Sequence, residues 1–251
     1  MSAKPIRLAG FHLRSAWNWR TTHYGRVLEA PFYYVFLVLG LSGVVQPEID
    51  GIEYRRFAFA GVLVIVLVRV LFWTMADVAN DRKWGVYAVA RGSGLSYRQY
   101  VLSIVLAACA IVTVQVLALF AARAAIETAL SLDELASCGI VLLLSPIPIV
   151  AGAGLGFLIN SYARRDLINS LLGLPLVVTA PLFYGLDAAP AVLRALAYAN
   201  PFSYFSVVAR LPLDGQDAGL GVIGSMTSGF LAVVLVLVMS GRHELISTEA
   251  G

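Results

Sequence analysis

Long apolar runs separated by short polar breaks organise this chain. Six runs approach the roughly 20 helical residues that span a hydrocarbon core. They are about Val27 to Val45, Phe57 to Ala76, Tyr100 to Ala122, Leu135 to Ile159, Leu167 to Tyr184 and Leu220 to Ser240. None alternates in the manner of a barrel strand, so the pattern predicts a bundle of helices. The expected fold is an all-α membrane protein with six transmembrane helices and an N-terminal interfacial helix. Re-entrant helices are expected on the outer side between spans five and six. Residues 1–26 form the cytoplasmic and interfacial part, 27–240 the six-span domain and 241–251 a cytoplasmic tail.

The polar breaks are informative in their own right. Phe11 to Arg26 mixes Trp17, Trp19 and Tyr24 with Arg14, Arg20 and Arg26. That mixture suits a helix lying at headgroup level, with aromatic rings in the interface, or a basic flank with aromatic anchors. In the fourth run, Pro146 and Pro148 remove backbone donors and predict a bend. Gly152 and Gly156 form a GxxxG, which permits close helix contact. The bend and the contact mark either a generic bundle contact or a hinge. Residues Gly185 to Gly219 are too long for a plain loop, and Pro190, Pro201 and Pro212 break them into pieces too short to span. Short interfacial or re-entrant helices explain them, with Pro190, Asn200 and Pro201 at their breaks.

Composition agrees with this layout. Of the 251 residues, 59% are hydrophobic and 13% charged, against roughly 25% charged in a soluble domain. The net charge of +3 matters through its placement. With the N-terminus inside, twelve Lys and Arg fall in inside segments and five in outside segments. That bias places both termini in the cytoplasm. Arg69 lies deep in the second run, where a charge costs from about 3 to over 10 kcal/mol unless it is paired, snorkelled or wet. It faces either a central cavity or a neighbouring helix, bonding there to backbone or to a polar residue such as Gln115. Trp73 follows it at i+4, on the same face, and Asp77 one turn further.

Several chemistries are missing. No phosphate-binding GxxxxGK[ST] loop occurs, and no GxSxG or HExxH motif. Cys109 and Cys138 lie in apolar runs and read as packing residues. His12, His23 and His243 show no metal-ligand spacing. There is no basic stripe on a soluble module of the kind nucleic acid requires. Asp77 and Asp81 are four apart on one helix face. They form the nearest approach to a catalytic pair, with the chemistry to hold a divalent cation beside a substrate phosphate.

Three stretches carry a resemblance. They are "GIEYRRFAFAG", through Gly51, Tyr54, Phe57 and Gly61; "DRKWGVYAVARGSGLSYRQYVLS", through Arg82, Gly85 and Ser96; and "PLFYGLDAAPAVLRALAYANPFSYF", through Pro190, Leu193, Asn200 and Pro201. In layout and in these motifs, about Phe11 to Ser240 resembles the permease subunits of type-2 ABC transporters. It is especially similar to daunorubicin-resistance and nodulation-factor exporter permeases. Ala60 stands where that family usually has Pro, and Tyr184-Gly185 where it more often has Ser-Gly.

The resemblance implies that the charged segment is a coupling helix that docks on an ATPase subunit. Physical chemistry points the same way: Trp84 and Tyr87 offer surface to bury, and Asp81, Arg82 and Lys83 offer charges to pair. The expected function is the permease subunit of an ABC exporter in a bacterial inner membrane. It would move an amphiphilic drug, natural product or lipid-like substrate. The chain itself would be no enzyme and hold no cofactor. Two ATPase copies would bind ATP and magnesium, and a second permease copy, identical or related, would complete the pathway. Arg69, Trp73, Asn169 and Thr179 are the expected pathway residues. The alternatives are a membrane enzyme acting on lipid phosphates through Asp77 and Asp81, and a sensing membrane subunit that relays an outer ligand.

Overall fold

The computed structural model of the protein describes residues 4–18, 20–127, 131–214, 221–234 and 238. Among the described residues the protein is all-α apart from one hairpin of two two-residue strands, and its helices form one bundle. In chain order they are α1 (Lys4–Asn18), α2 (Arg20–Tyr33), a π-helical continuation (Tyr34–Leu39), α3 (Tyr54–Lys83), α4 (Val86–Gly92) and α5 (Tyr97–Ile126). There follow α6 (Leu132–Leu144), α7 (Pro146–Leu158), α8 (Tyr162–Thr179), α9 (Ala191–Ala199), α10 (Pro201–Asp214) and α11 (Gly221–Val234).

Among the described residues, three helical stretches are long and apolar enough to cross a membrane: Tyr54–Lys83, Tyr97–Ile126 and Leu132–Leu158. These cover the second, third and fourth apolar runs. The first run is divided between α2 and its π-helical continuation, with Pro31 inside α2. The fifth begins earlier than the hydropathy pattern places it, at Tyr162. The sixth is described as the shorter α11, and the tail 241–251 lies outside the described residues.

α3 is the central post. From Phe57 to Val68 it is apolar on every face, and here other helices rather than lipid cover it. Each residue from Phe57 to Val68 is buried, and α5, α6, α7, α8 and α10 all pack against it. Its tightest neighbour is α7, and the glycines explain why. A Cβ at Gly152 would overlap the Leu71 carbonyl, and one at Gly156 would sit 2.7 Å from the Met75 carbonyl oxygen. The GxxxG therefore lets one backbone lie directly on another. Pro146 and Pro148 stand at the start of α7, where Ser145 separates it from α6. Pro146 cannot donate to the Leu142 carbonyl one turn earlier, but the Ser145 hydroxyl donates to it at 2.8 Å instead. α6 and α7 therefore run on as one stretch through Ser145.

Polar sequence sets where the helices begin. Ser96 with Gln99 and Ser131 with Glu134 each close a reciprocal capping box, starting α5 and α6. Ser161 caps α8 through the Arg164 amide. The hairpin before α3 pairs Ile49 with Ile52 across Asp50-Gly51. Both turn residues have positive φ, 53° and 77°, the conformation that favours Asp-Gly in two-residue hairpin turns.

The outer surface is apolar along much of its length. Leu102, Leu106 and Leu117 on α5, Leu135 and Leu143 on α6, and Leu167, Leu171, Leu174 and Val178 on α8 are all exposed. Exposed leucine at helical spacing on several elements marks a membrane-associated protein, because lipid rather than water then covers the face. The segment between α8 and α11 folds as the short helices α9 and α10, joined at Asn200-Pro201. Buried Asn200 is the fastener: its Nδ2 donates to the Leu176 carbonyl and to Thr179 Oγ1, and its Oδ1 accepts from the Phe202 amide. Pro190 precedes α9 as its exposed N-cap.

Candidate functional site

Past Val70, α3 changes character. Trp73, Asp77, Asn80, Asp81 and Trp84 follow at helical spacing and form a polar and aromatic stripe on one face. α1 and α2 cross over this stripe. The side of α1 turned inward carries Pro5, Leu8, Ala9, His12 and Ala16, all buried or half-buried, and it packs along α5. Ile6, Phe11 and Leu13 stay exposed on α1, as on a helix lying against a membrane. Trp19, and the side chains of Trp17 and Arg20, lie outside the described residues.

Between these elements is a cavity of about 260 Å³. Its floor is apolar, from Val70 on α3 and Ile104, Ala107, Ala108 and Ile111 on α5. Its polar wall is His12, Ser15, His23, Arg26, Asp77, Asn80 and Asp81, with Trp73 and Trp84 at its edges. Arg26 forks onto Asp77, Nη1 to Oδ2 and Nη2 to Oδ1, each 3.0 Å. This is the bidentate geometry that favours arginine over lysine. The same guanidinium lies 5.2 Å from the centre of the Trp73 ring.

Asp81 is held differently. Its Oδ2 accepts from the Tyr100 hydroxyl at 2.7 Å and lies 3.8 Å from His12 Nε2. Its Oδ1 has no partner among the described residues. His12 Nε2 and His23 Nδ1 are buried with no hydrogen bond. Burial pushes the pKa of His12 below its ordinary value, and Asp77 opposes that only in part. Burial and then Arg26 push His23 down too, against the pull of Asp77. Both imidazoles are therefore neutral at pH 7.

Asp77 and Asp81 share a face, as their spacing predicts. Both oxygens of Asp77 are taken by Arg26. No group of three or more His, Cys, Asp or Glu among the described residues could hold a metal ion.

Arg69 lies one turn before Trp73 and pairs with Glu29 of α2 at 2.7 Å. Gln115 is not its partner; that amide donates to the Arg26 carbonyl instead. Glu29 was legible in the sequence as an acid in the first apolar run, facing a lone base in the second. What spacing could not supply was that α2 and α3 are neighbours. Asn169 is exposed on α8, and Thr179 donates to the Pro175 carbonyl while accepting from Asn200. Neither lines the cavity.

The charged segment after α3 is less of a free loop than its sequence implies. α3 continues through Lys83, a left-handed Gly85 (φ 80°) turns the chain, and α4 follows. Arg82 points inward. Its Nη1 donates to the carbonyls of Phe157 at 2.6 Å and of Gly156 and Ile159 at 3.3 Å. It thus closes the C-terminal end of α7, where cations are favoured. Lys83 Nζ is 3.6 Å from the Tyr162 ring centre, and Trp84 Nε1 donates to the Tyr162 hydroxyl. Tyr87 packs edge-on against Tyr100 and Phe157. Facing outward, alongside the exposed Lys83 and Arg98, are two large apolar side chains: Trp84 is 64% exposed and Val89 74%.

At the opposite end of α3 the bundle holds a second ionic cluster that sequence reasoning did not identify. Arg123, 2% exposed, bonds Glu134, Glu127 and Tyr34, and Glu134 is itself 0% exposed. Arg56 reaches Asp133 at 3.0 Å and Glu134 at 3.7 Å. No protein-family model matches the chain, and no curated protein matches it.

Proposed function

We propose that this chain is the membrane permease subunit of an ABC exporter, working with a separate ATPase subunit and a second permease copy. The observation that carries this reading is α4. It is a short helix between two spans that presents Val89 outward, with exposed Trp84 at the turn leading into it, while Arg82 at the end of α3 and Tyr87 on α4 anchor the turn and the helix to α7 and α5. A docking element has to combine those two properties. An exposed apolar anchor gives a partner something to bury, and an anchored base passes the partner's movement to the spans. Nucleotide binding in the partner then shifts the bundle only as far as it binds the two states differently.

In this reading the Lys83 end of α3 is cytoplasmic, and the bacterial inner membrane is the site of action. The arginine-rich interfacial α1 and the inside excess of Lys and Arg support that orientation. The remaining spans come from α2 with its π-helical continuation, α8 and α11, which makes six. The substrate is an amphiphilic drug, a natural product or a lipid-like molecule. It enters from the inner leaflet beneath α1 and passes Trp73 and Arg69.

The test is co-purification of tagged chain from its native cells in mild detergent, beside a Trp84→Ala/Val89→Asp variant. An ATPase with a phosphate-binding loop should accompany the wild type and be lost with the variant. Arg82 is left intact because it holds α7. A folded wild-type chain that brings down no ATPase would overturn the proposal.

A further inference from the structure

We infer that the cavity under α1 and α2 is a binding site for a primary ammonium group carried on an apolar body. This deepens the permease reading and rests on it for its place in transport.

The charge balance comes first. Among the described residues, the charged side chains lining the cavity are Arg26, Asp77 and Asp81. Arg26 and Asp77 neutralise each other in a bidentate pair. The histidines are neutral, for the reasons already given. Among these described side chains one carboxylate charge is left over, on Asp81, beside an apolar floor of low polarisability where an uncompensated charge is costly. The occupant that relieves this is a monocation.

The hydrogen-bonding inventory comes second. An –NH₃⁺ group has three donors and no acceptor. The cavity offers Asp81 Oδ1, which has no partner among the described residues, and two buried imidazole nitrogens with none, His12 Nε2 and His23 Nδ1. A neutral imidazole presents one acceptor nitrogen. Two other cations fit less well. A metal ion finds no competent ligand group among the described residues. A quaternary ammonium wants open aromatic faces, and Trp73 is already flanked by the guanidinium groups of Arg26 and Arg69, at 5.2 and 5.9 Å.

Size comes third. About 260 Å³ lies under the roughly 300–1,000 Å³ of a drug-sized site. The cavity takes the amine and the adjoining carbons, with the apolar remainder running along α5 toward lipid.

Purified full-length chain in nanodiscs tests this, with intrinsic tryptophan fluorescence as the readout because Trp73 and Trp84 border the cavity. The probes are octylamine (protonated at pH 7), octyltrimethylammonium and octanol. Octylamine should give a saturable change, octyltrimethylammonium one at least about tenfold weaker, and octanol none that saturates. Asp81→Asn should weaken octylamine at least about tenfold, as befits loss of the charged partner of a hydrogen bond. His12→Phe keeps a ring in place and should weaken it several-fold, so the inference stays open to refutation if Asp81→Asn does not fold. Asp166→Asn, on the exposed start of α8, should change nothing. Equal binding of the amine and its trimethyl analogue, or full binding by a folded Asp81→Asn, overturns the inference.

Comparing nanodiscs with and without phosphatidylethanolamine identifies the source of the amine. Weaker octylamine binding in its presence assigns the site to a lipid headgroup, and unchanged binding to a dissolved amphiphile. Either result supports the ammonium site. No ATPase is present in this assay. A failure here therefore removes the ammonium site and leaves the permease reading to the co-purification result.

Discussion

Arg123→Met should be among the most damaging single changes in the bundle, and a second substitution at Glu134 should partly repair it. Glu134 has no solvent access. Its strong partner is Arg123, and what remains is Arg56 Nε at 3.7 Å and the Ser131 amide at 3.3 Å. Taking one member from a buried pair leaves an uncompensated charge, which costs about 3–5 kcal/mol. For a chain of this size that lowers the thermal midpoint by on the order of 10 °C. Glu134→Gln alone is milder. It removes a charge-assisted bond, but Arg123 keeps Glu127 and Tyr34, so the expected cost is about 1–3 kcal/mol. In the Arg123→Met background the same Glu134→Gln change removes the stranded charge, so its effect should reverse sign and become stabilising. The assay is a double-mutant cycle on thermal unfolding in one detergent, followed by tryptophan fluorescence and by recovery of monodisperse protein. If Glu134→Gln costs the same in both backgrounds, the pair is not coupled, and the burial argument for this cluster fails.

Two further outcomes follow from the packing and the titrations. Gly152→Ala should destabilise by about 1–3 kcal/mol, because its Cβ meets the Leu71 backbone. Gly139→Ala on α6 has open space around it and should be neutral or stabilising by up to about 1 kcal/mol; equal effects at the two sites would refute the close-contact account of α3 and α7. The second concerns pH. The folded pKa of His12 lies below its ordinary value of 6.5, so the undocked helix takes up a proton more readily than the docked one. Docking of α1 is then at full strength above about pH 6.5 and weakens as pH falls below it toward the folded pKa. Hydrogen exchange of α1 amides, corrected for intrinsic rate, should show less protection at pH 5.5 than at pH 7.5. His12→Gln should flatten that difference, and greater protection at low pH would contradict it.

How much of the site was legible in the sequence depends on what kind of signal each part carries. Asp77 and Asp81 could be placed on one face from their spacing alone, since helical geometry is local. That Asp77 is consumed by Arg26 could not, because the partner lies 51 residues away. Arg82 and Lys83 read as surface charges for a partner, yet Arg82 turns back onto the end of α7. Positive residues after a span signal orientation, and the same residues at a helix end are also in reach of bare carbonyls; hydropathy does not separate the two roles. Asn200 and Thr179 were picked out for separate reasons, one as a break and one as a pathway residue. The fold joins them in one hydrogen-bonded fastener.

The amino-acid sequence by itself determined the class of the protein. Apolar runs of membrane length, few charges, and serine caps three residues ahead of Glu or Gln dictate apolar helices and where two of the long ones begin, because hydrophobic burial and capping act over one or two turns. The tertiary structure alone decided which charges meet. Arg26 with Asp77, Arg69 with Glu29, and Arg123 with Glu134 each join different helices or helix ends. A charge at membrane depth must find a partner, but its own neighbours in sequence do not say which one. That choice depends on how the helices are arranged around α3. The same arrangement gives Arg26, which lines the cavity of Asp81, to Asp77, and leaves Asp81 paired with no arginine or lysine among the described residues.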